Sequence, residues 1–299
     1  RGLGDVYKRQ AQDNSNTALQ AVGVAAGAVA LGALAAEANN DSDISVDIID
    51  SAVTANGSTD DEGNITVETS KANEVTALAV NTAGGAIAGA GMGATVTDTG
   101  SSTVYLAANE MFADKLIDVN AKTNSTLQAD IVNNGAGWFA AGAVSIAKVS
   151  AGTADDPLKT AVTIGGGNTF AADDIAFAAD SNITESMDMD ALAISGYAAA
   201  SGNSTTAGAY ADAEVTAEST NTYTGADDDA GNVSFNANNT VKQTSDTSGI
   251  SAAGLFATGT NVGKTNSGLN TTVDIKGSNY NSKIDNLTAA ANSLSLIHI

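Results

Sequence analysis

Side chains able to carry acid–base, nucleophilic or metal chemistry are few and unevenly placed along this 299-residue chain. The single His, His298, lies in the closing SLIHI, both arginines, Arg1 and Arg9, lie in the opening RGLGDVYKRQ, and there is no Cys. A Ser–His–Asp triad would have to use His298, and thiolate chemistry is excluded. Carboxylates remain, in the runs Asp60-Asp61-Glu62, Asp155-Asp156, Asp173-Asp174 and Asp227-Asp228-Asp229. Such runs are either solvated acidic turns or calcium ligands acting with turn carbonyls. Asp227, Asp228 and Asp229 are the candidate calcium ligands, although neither a GGxGxD repeat nor the spacing of an EF-hand is present. A glycosidase or lyase would need paired carboxylates, for which Asp173 with Asp174 or Asp188 with Asp190 are the candidates, and aromatic platforms for sugar rings. The one Trp, Trp138, and its neighbour Phe139 are expected to fill the interior instead. The glycine strings Gly89-Ala90-Gly91-Met92-Gly93 and Gly165–Gly167 lack the Lys and Ser/Thr of a phosphate loop and read as corners. The chain is therefore expected not to be an enzyme, with no catalytic residue and no cofactor beyond a candidate structural calcium.

The elements that would hold these residues follow from composition and repetition. Apolar residues make up 43% of the chain but aromatics only 4%, with Gly numbering 31, so most apolar side chains are too small to fill a wide core. A thin core, with backbone close to backbone, is the architecture that suits them. The net charge of −22 opposes nucleic acid, whose binding depends on Lys and Arg neutralising phosphates, and anionic membrane surfaces. Any membrane connection is expected only through parts of a longer protein.

Three blocks recur in the same order. The first is Ala/Gly-rich and anchors on Leu19, Leu78, Ile131, Leu192 and Ile250, at spacings of 59, 53, 61 and 58 residues. The second is SVDII at Ser45, ATVTDT at Ala94, SIAKVSA at Ser145, AEVTAES at Ala213 and TTVDIKG at Thr271. The third anchors on Ile65, Ile117, Ile175 and Val233, at spacings of 52, 58 and 58. Within blocks apolar residues alternate, as in Ile65/Val67, Ile117/Val119, Ile175/Phe177 and Val233/Phe235, which is the signature of a half-buried strand. The inward set is expected to be these eight with Leu78, Val80, Ile131, Leu192, Ile194 and Ile250. The only Pro, Pro157, falls in an insertion, Thr153–Leu158, where it interrupts no strand. The uncharged run Ala18–Ala36 is read as strands rather than a membrane helix, because Leu19 is in register with Leu78.

The predicted fold is all-β, a right-handed parallel β-helix (β-solenoid) built from repeats of 53–61 residues. Residues 11–294 form the repetitive region, with units near 18–76, 77–129, 130–190, 191–248 and 249–294. Residues 1–10 and 295–299 read as a leader and a tail foreign to it, and the chain as a fragment. At the ~20–30 residues usual for a solenoid turn each unit would hold two or three coils, hence ten to fourteen coils in a rod roughly 50–65 Å long.

The stretches ALAVNTAGGAIAGAGMGATVTDT (77–99) and DIVNNGAGWFAAGAVSIAKVSA (130–151), with the preceding ITVETS-type strands, resemble the repeat arrays of filamentous-haemagglutinin-like adhesins and autotransporter passengers. The resemblance spans most of residues 18–285 and lies in texture and period rather than in a diagnostic motif. It implies a secreted or outer-membrane, extracellular segment that attaches to glycans or proteins on host or neighbouring bacterial cells. A passive spacer or biofilm matrix component, and a carbohydrate-active β-helix, are the alternatives.

Overall fold

The computed structural model describes residues 6–57, 63–226, 231–280 and 284–298, and among these the regular structure is all β, with no helix. The strands form six successive layers. The first holds β1 (Val6–Ile49) and β2 (Ala52–Ala55), the second β3 (Asn64–Ala107) and β4 (Glu110–Ala113). The third holds β5 (Leu116–Ala151), β6 (Leu158–Ile164) and β7 (Thr169–Ala171). The fourth holds β8 (Asp174–Ser195), β9 (Ala198–Ala217) and β10 (Thr222–Thr224), the fifth β11 (Gly231–Ala253), β12 (Phe256–Ile275) and β13 (Asn279–Tyr280). β14 (Ile284–His298) starts a sixth.

Every pairing between layers is parallel. The third sequence block is in perfect register, with Ile65 on Ile117, Ile117 on Ile175 and Ile175 on Val233. The second block mixes two columns. The column of Ser45 runs through Thr103 and Ala161 to Glu214, one residue past Ala213, whereas that of Ala94 runs through Ala147 to Thr205. One repeat makes one layer, not two or three coils, because a strand here runs out along one arm, reverses at a tip and returns. Five full layers at ~4.8 Å each give a stack only ~24 Å tall. Residues 6–10 continue the first layer, paired with 64–68, and residues 295–298 pair with 241–244.

Polar side chains bridge the slot between the two arms. Ser102 donates to Thr69 at 3.0 Å, Thr160 to Thr123 at 2.7 Å, and Asn133 to Ser145 at 3.2 Å. The slot narrows from one end to the other. Its wide end is closed by the short strands β2, β4, β7, β10 and β13 and packed with large side chains. There Phe170, Tyr223 and Tyr280 stack at 5.5 and 5.2 Å, and Phe177 stacks on Phe235 at 5.2 Å. The middle is lined by Val75, Met92, Val96, Leu127, Val149 and Met189. Among the described residues the apolar clusters at the tip are built of alanine: Ala83, Ala88 and Ala90 in one, Ala141, Ala143, Ala191, Ala193 and Ala199 in another. A Cβ on Gly135 would sit 2.5 Å from the Gly142 carbonyl oxygen across the slot, so the arms meet backbone to backbone.

The taper corrects part of the inward set. Ile65, Val67, Ile117, Val119, Ile131, Ile175, Phe177, Val233 and Phe235 are buried. Leu78, Val80 and Leu192 are half-buried and Ile194 and Ile250 exposed, while Ala77, Ala79, Ala191 and Ala193 point inward. Each outbound strand is unbroken from the wide end, so inward positions keep strict alternation from Ile65 to Ala83, and a one-residue shift changes the face. The narrow slot then takes Ala, and the branched residues face out.

At the corner before the short strands a column of asparagines closes the turn. Asn109 Oδ1 accepts from the Ser51 amide at 3.0 Å, Asn168 Oδ1 from the Asn109 amide at 2.9 Å, and Asn221 Oδ1 from the Asn168 amide at 3.0 Å. Their side-chain amides donate to carbonyls of their own or the adjoining layer, Asn168 to Gly165 at 2.7 Å and Asn221 to Glu218 at 2.8 Å. Buried backbone groups that a tight corner would orphan are thereby satisfied. Pro157 lies half-buried in the loop 152–157 between β5 and β6, outside any strand.

Phe177→Ala is expected to cost about 3–5 kcal/mol in thermal or denaturant unfolding, as for a fully buried aromatic. Leu192→Ala should stay below about 1 kcal/mol. Equal losses would contradict the assignment of faces.

Candidate functional site

The carboxylate candidates are not brought together. Asp173 pairs with Lys115 at 3.2 Å, and Asp174 accepts from Asn232 at 2.8 Å. Asp188 and Asp190 both face solvent, in a column where Asp130, Asp188 and Asp246 stack across three layers. Partial desolvation on the sheet, then the charges of Asp190, Asp130 and Asp246, raise the Asp188 carboxyl above its usual range. Asp227, Asp228 and Asp229 lie outside the described residues, as do Asp60, Asp61 and Glu62. Among the described residues no three acidic or imidazole side chains converge to hold a metal ion.

Ionisable groups do occur inside, and they are tied into the slot. Lys71 and Asp98 are fully buried and paired at 3.3 Å, and the Lys71 ammonium also donates to the Thr99 carbonyl. The Asp98 carboxylate accepts further from Asn40 at 2.9 Å, Asn73 at 3.0 Å and Ser125, joining the first three layers. Glu185 has no charged partner of this kind. Burial pushes its carboxyl up to about 7, against the opposing hydrogen bonds from Gln243 at 2.7 Å and the Ala151 amide at 3.0 Å. These groups hold arm to arm and layer to layer, and none faces a cleft that could admit substrate.

The open surface is at the tips. The second layer turns through Gly85-Ala86-Ile87, and the third has one residue more, Gly137-Trp138-Phe139-Ala140. The fourth and fifth keep the longer turn, so Gly196-Tyr197 stacks on Trp138-Phe139 and Gly254-Leu255 on Gly196-Tyr197. The Gly196 amide donates to the Trp138 carbonyl at 3.1 Å, and a Cβ on Gly196 would lie 2.6 Å from that oxygen, so Gly is needed there. Trp138 is 77% exposed, Phe139 55%, Tyr197 56%, Leu255 62% and Phe256 73%. The Trp138-Phe139 pair thus does not fill the interior: where the slot admits only small side chains, a large ring has nowhere to go but out. Together these side chains form a ridge across three layers, with Phe139 and Tyr197 in contact at 6.3 Å between ring centres.

An open groove of about 640 Å³ runs beside the ridge, lined by Trp138, Phe139, Ile194, Ser195 and Tyr197 over a floor of Gly and Ala. The Ser195 hydroxyl is buried there without a hydrogen-bond partner. Below the ridge, a second groove of about 590 Å³ lies between Leu255, Phe256 and the alanines 140, 141 and 198–200. The tips carry no charge: residues 14–36, 75–97, 131–147, 191–211 and 247–263 contain no Asp, Glu, Lys or Arg. Stacked in register, they make one uncharged end on a strongly acidic molecule. Those recurring windows are the signal in the sequence that marks this surface.

With Glu185 raised above the ordinary carboxylate range, its contribution favours the folded state below about pH 4.5 and is lost as pH rises through about 7. The loss amounts to roughly 3 kcal/mol, since each tenfold change in proton affinity corresponds to about 1.4 kcal/mol. Glu185→Gln should therefore melt higher than the parent at pH 8 and equal it near pH 5; an unchanged difference between the two across that range would contradict the assignment. Asp98→Ala should cost about 3–5 kcal/mol, because it leaves the Lys71 ammonium buried without its counter-charge. No protein-family model, no curated protein and no solved structure matches this chain.

Proposed function

We propose that this chain is a right-handed parallel β-helix from the stalk of an extracellular adhesin, non-catalytic, attaching to surfaces of host or neighbouring cells through its side rather than its ends. The observation that supports this reading is the ridge Trp138, Phe139, Tyr197, Leu255 and Phe256, large apolar side chains held in the open by layer stacking. Contiguous exposed apolar surface of this kind marks interaction sites on soluble proteins. Aromatic groups are also what protein and glycan partners both use as anchors. The scarcity of charge at the tips favours uncharged partners, and the net charge of −22 keeps the rest of the molecule from nucleic acid. Secretion, with a membrane link through other parts of a longer protein, belongs to the same reading. No cofactor is needed, and calcium at Asp227–Asp229 would be structural only.

The purified chain should bind bacterial or host cells, or a subset of immobilised glycans or surface proteins, and release no reducing sugar from polysaccharide. Trp138→Ala with Phe256→Ala should cut binding at least tenfold with unchanged circular dichroism and melting temperature. Binding that ignores both changes would move the adhesive surface elsewhere, sugar release would make the chain an enzyme, and silence in every assay would leave a spacer. A chelator should leave the melting temperature unchanged; a drop would assign calcium.

A further inference from the structure

We infer that the uncharged tip is a self-association surface, on which a second copy of this chain docks tip to tip. Pairing of this kind stands on geometry and holds whether or not the chain is an adhesin. Five side chains of the ridge are between 55% and 77% exposed. At the 150–250 Å² that an aromatic side chain can bury, they offer on the order of 600 Å² per copy. Two copies would together bury ~1,200 Å², the lower end of the range for specific interfaces.

Charge decides the orientation. A chain of net charge −22 repels its own copies through most approaches. Tip-to-tip contact is the exception. Along the strands the charged residue nearest the ridge is seven residues away, Asp190 from Tyr197. At ~3.3 Å per residue that separation is ~23 Å, more than two Debye lengths at physiological salt. Two tips in contact thus set the charges of the two copies far apart, and the contact is closed by a two-fold axis, as identical patches require.

A saccharide fits less well: it would find only two hydroxyls, Ser195 and Tyr197, in the groove lining beside Trp138.

Trp138 is the only Trp, so its emission reports directly on the tip. The expected result is a blue shift with rising protein concentration, coincident in sedimentation equilibrium with a change from one chain to two, and nearly the same at low and high salt. Tyr197→Ser with Phe256→Ser keeps the reporter and should weaken pairing at least tenfold without altering circular dichroism. A mass of one chain with water-exposed Trp138 at every concentration overturns the inference. So does a blue shift of a single chain induced only by oligosaccharide or phosphatidylcholine vesicles, or growth beyond two that ignores the double variant. Both readings use this ridge, so pairing is read on the purified chain alone: a chain that pairs but binds no cell or glycan sinks the adhesin and not the pair, and a chain that binds them without ever pairing does the reverse.

Discussion

The constraint on which everything else rests is in-register parallel stacking. Backbone amides and carbonyls of one layer bond to the next, so each residue sits on its equivalent about 58 or 53 positions away. Like must therefore lie on like. For valine this costs nothing, and Val46, Val104, Val162, Val215 and Val273 form one such column. For asparagine it is an advantage, because one amide both donates and accepts, as at Asn109, Asn168 and Asn221. For carboxylate it is a penalty, visible where Asp188 is caught between Asp130 and Asp246. Charges inside the slot consequently appear singly, each bound to unlike neighbours, as Lys71 is bound to Asp98.

The taper of the slot is the second determinant, and it sets which residues can be hidden. Aromatic rings fill the wide end, where three walls meet; alanine fills the tip, where two backbones meet. An abundance of Ala and Gly with few aromatics is thus a requirement of the cross-section rather than low complexity. The same geometry expels Trp138 and Phe256, so exposure at the tip follows from how little room lies behind them.

Much of this is legible in the residues. Ile65, Ile117, Ile175 and Val233 stand out because large side chains alternate with small polar ones, and they fall in one column. The Ala-rich arms mislead, since Leu78 and Leu192 look like core to any reading by hydrophobicity, while the strand's parity, fixed at Ile65, turns Ala77 and Ala191 inward. Layer length is hidden because the reversal at Gly85-Ala86-Ile87, where the inward parity switches from Ala83 to Ala88, lies inside an Ala/Gly run with no turn cluster to mark it. The carboxylate pairs are legible only as composition: adjacency of Asp173 and Asp174 does not say that one will face Lys115 and the other Asn232.

One repeat per layer also fixes how the molecule would yield to force. Hydrogen bonds between layers lie along the stacking axis, so a pull along that axis opens them in sequence, as a zipper opens, instead of shearing them at once. Each rupture frees a whole layer, and ~58 residues at ~3.4 Å extend by ~200 Å. Stretching would therefore proceed in long, nearly equal steps, each dissipating the work of one layer while the remaining stack stays intact.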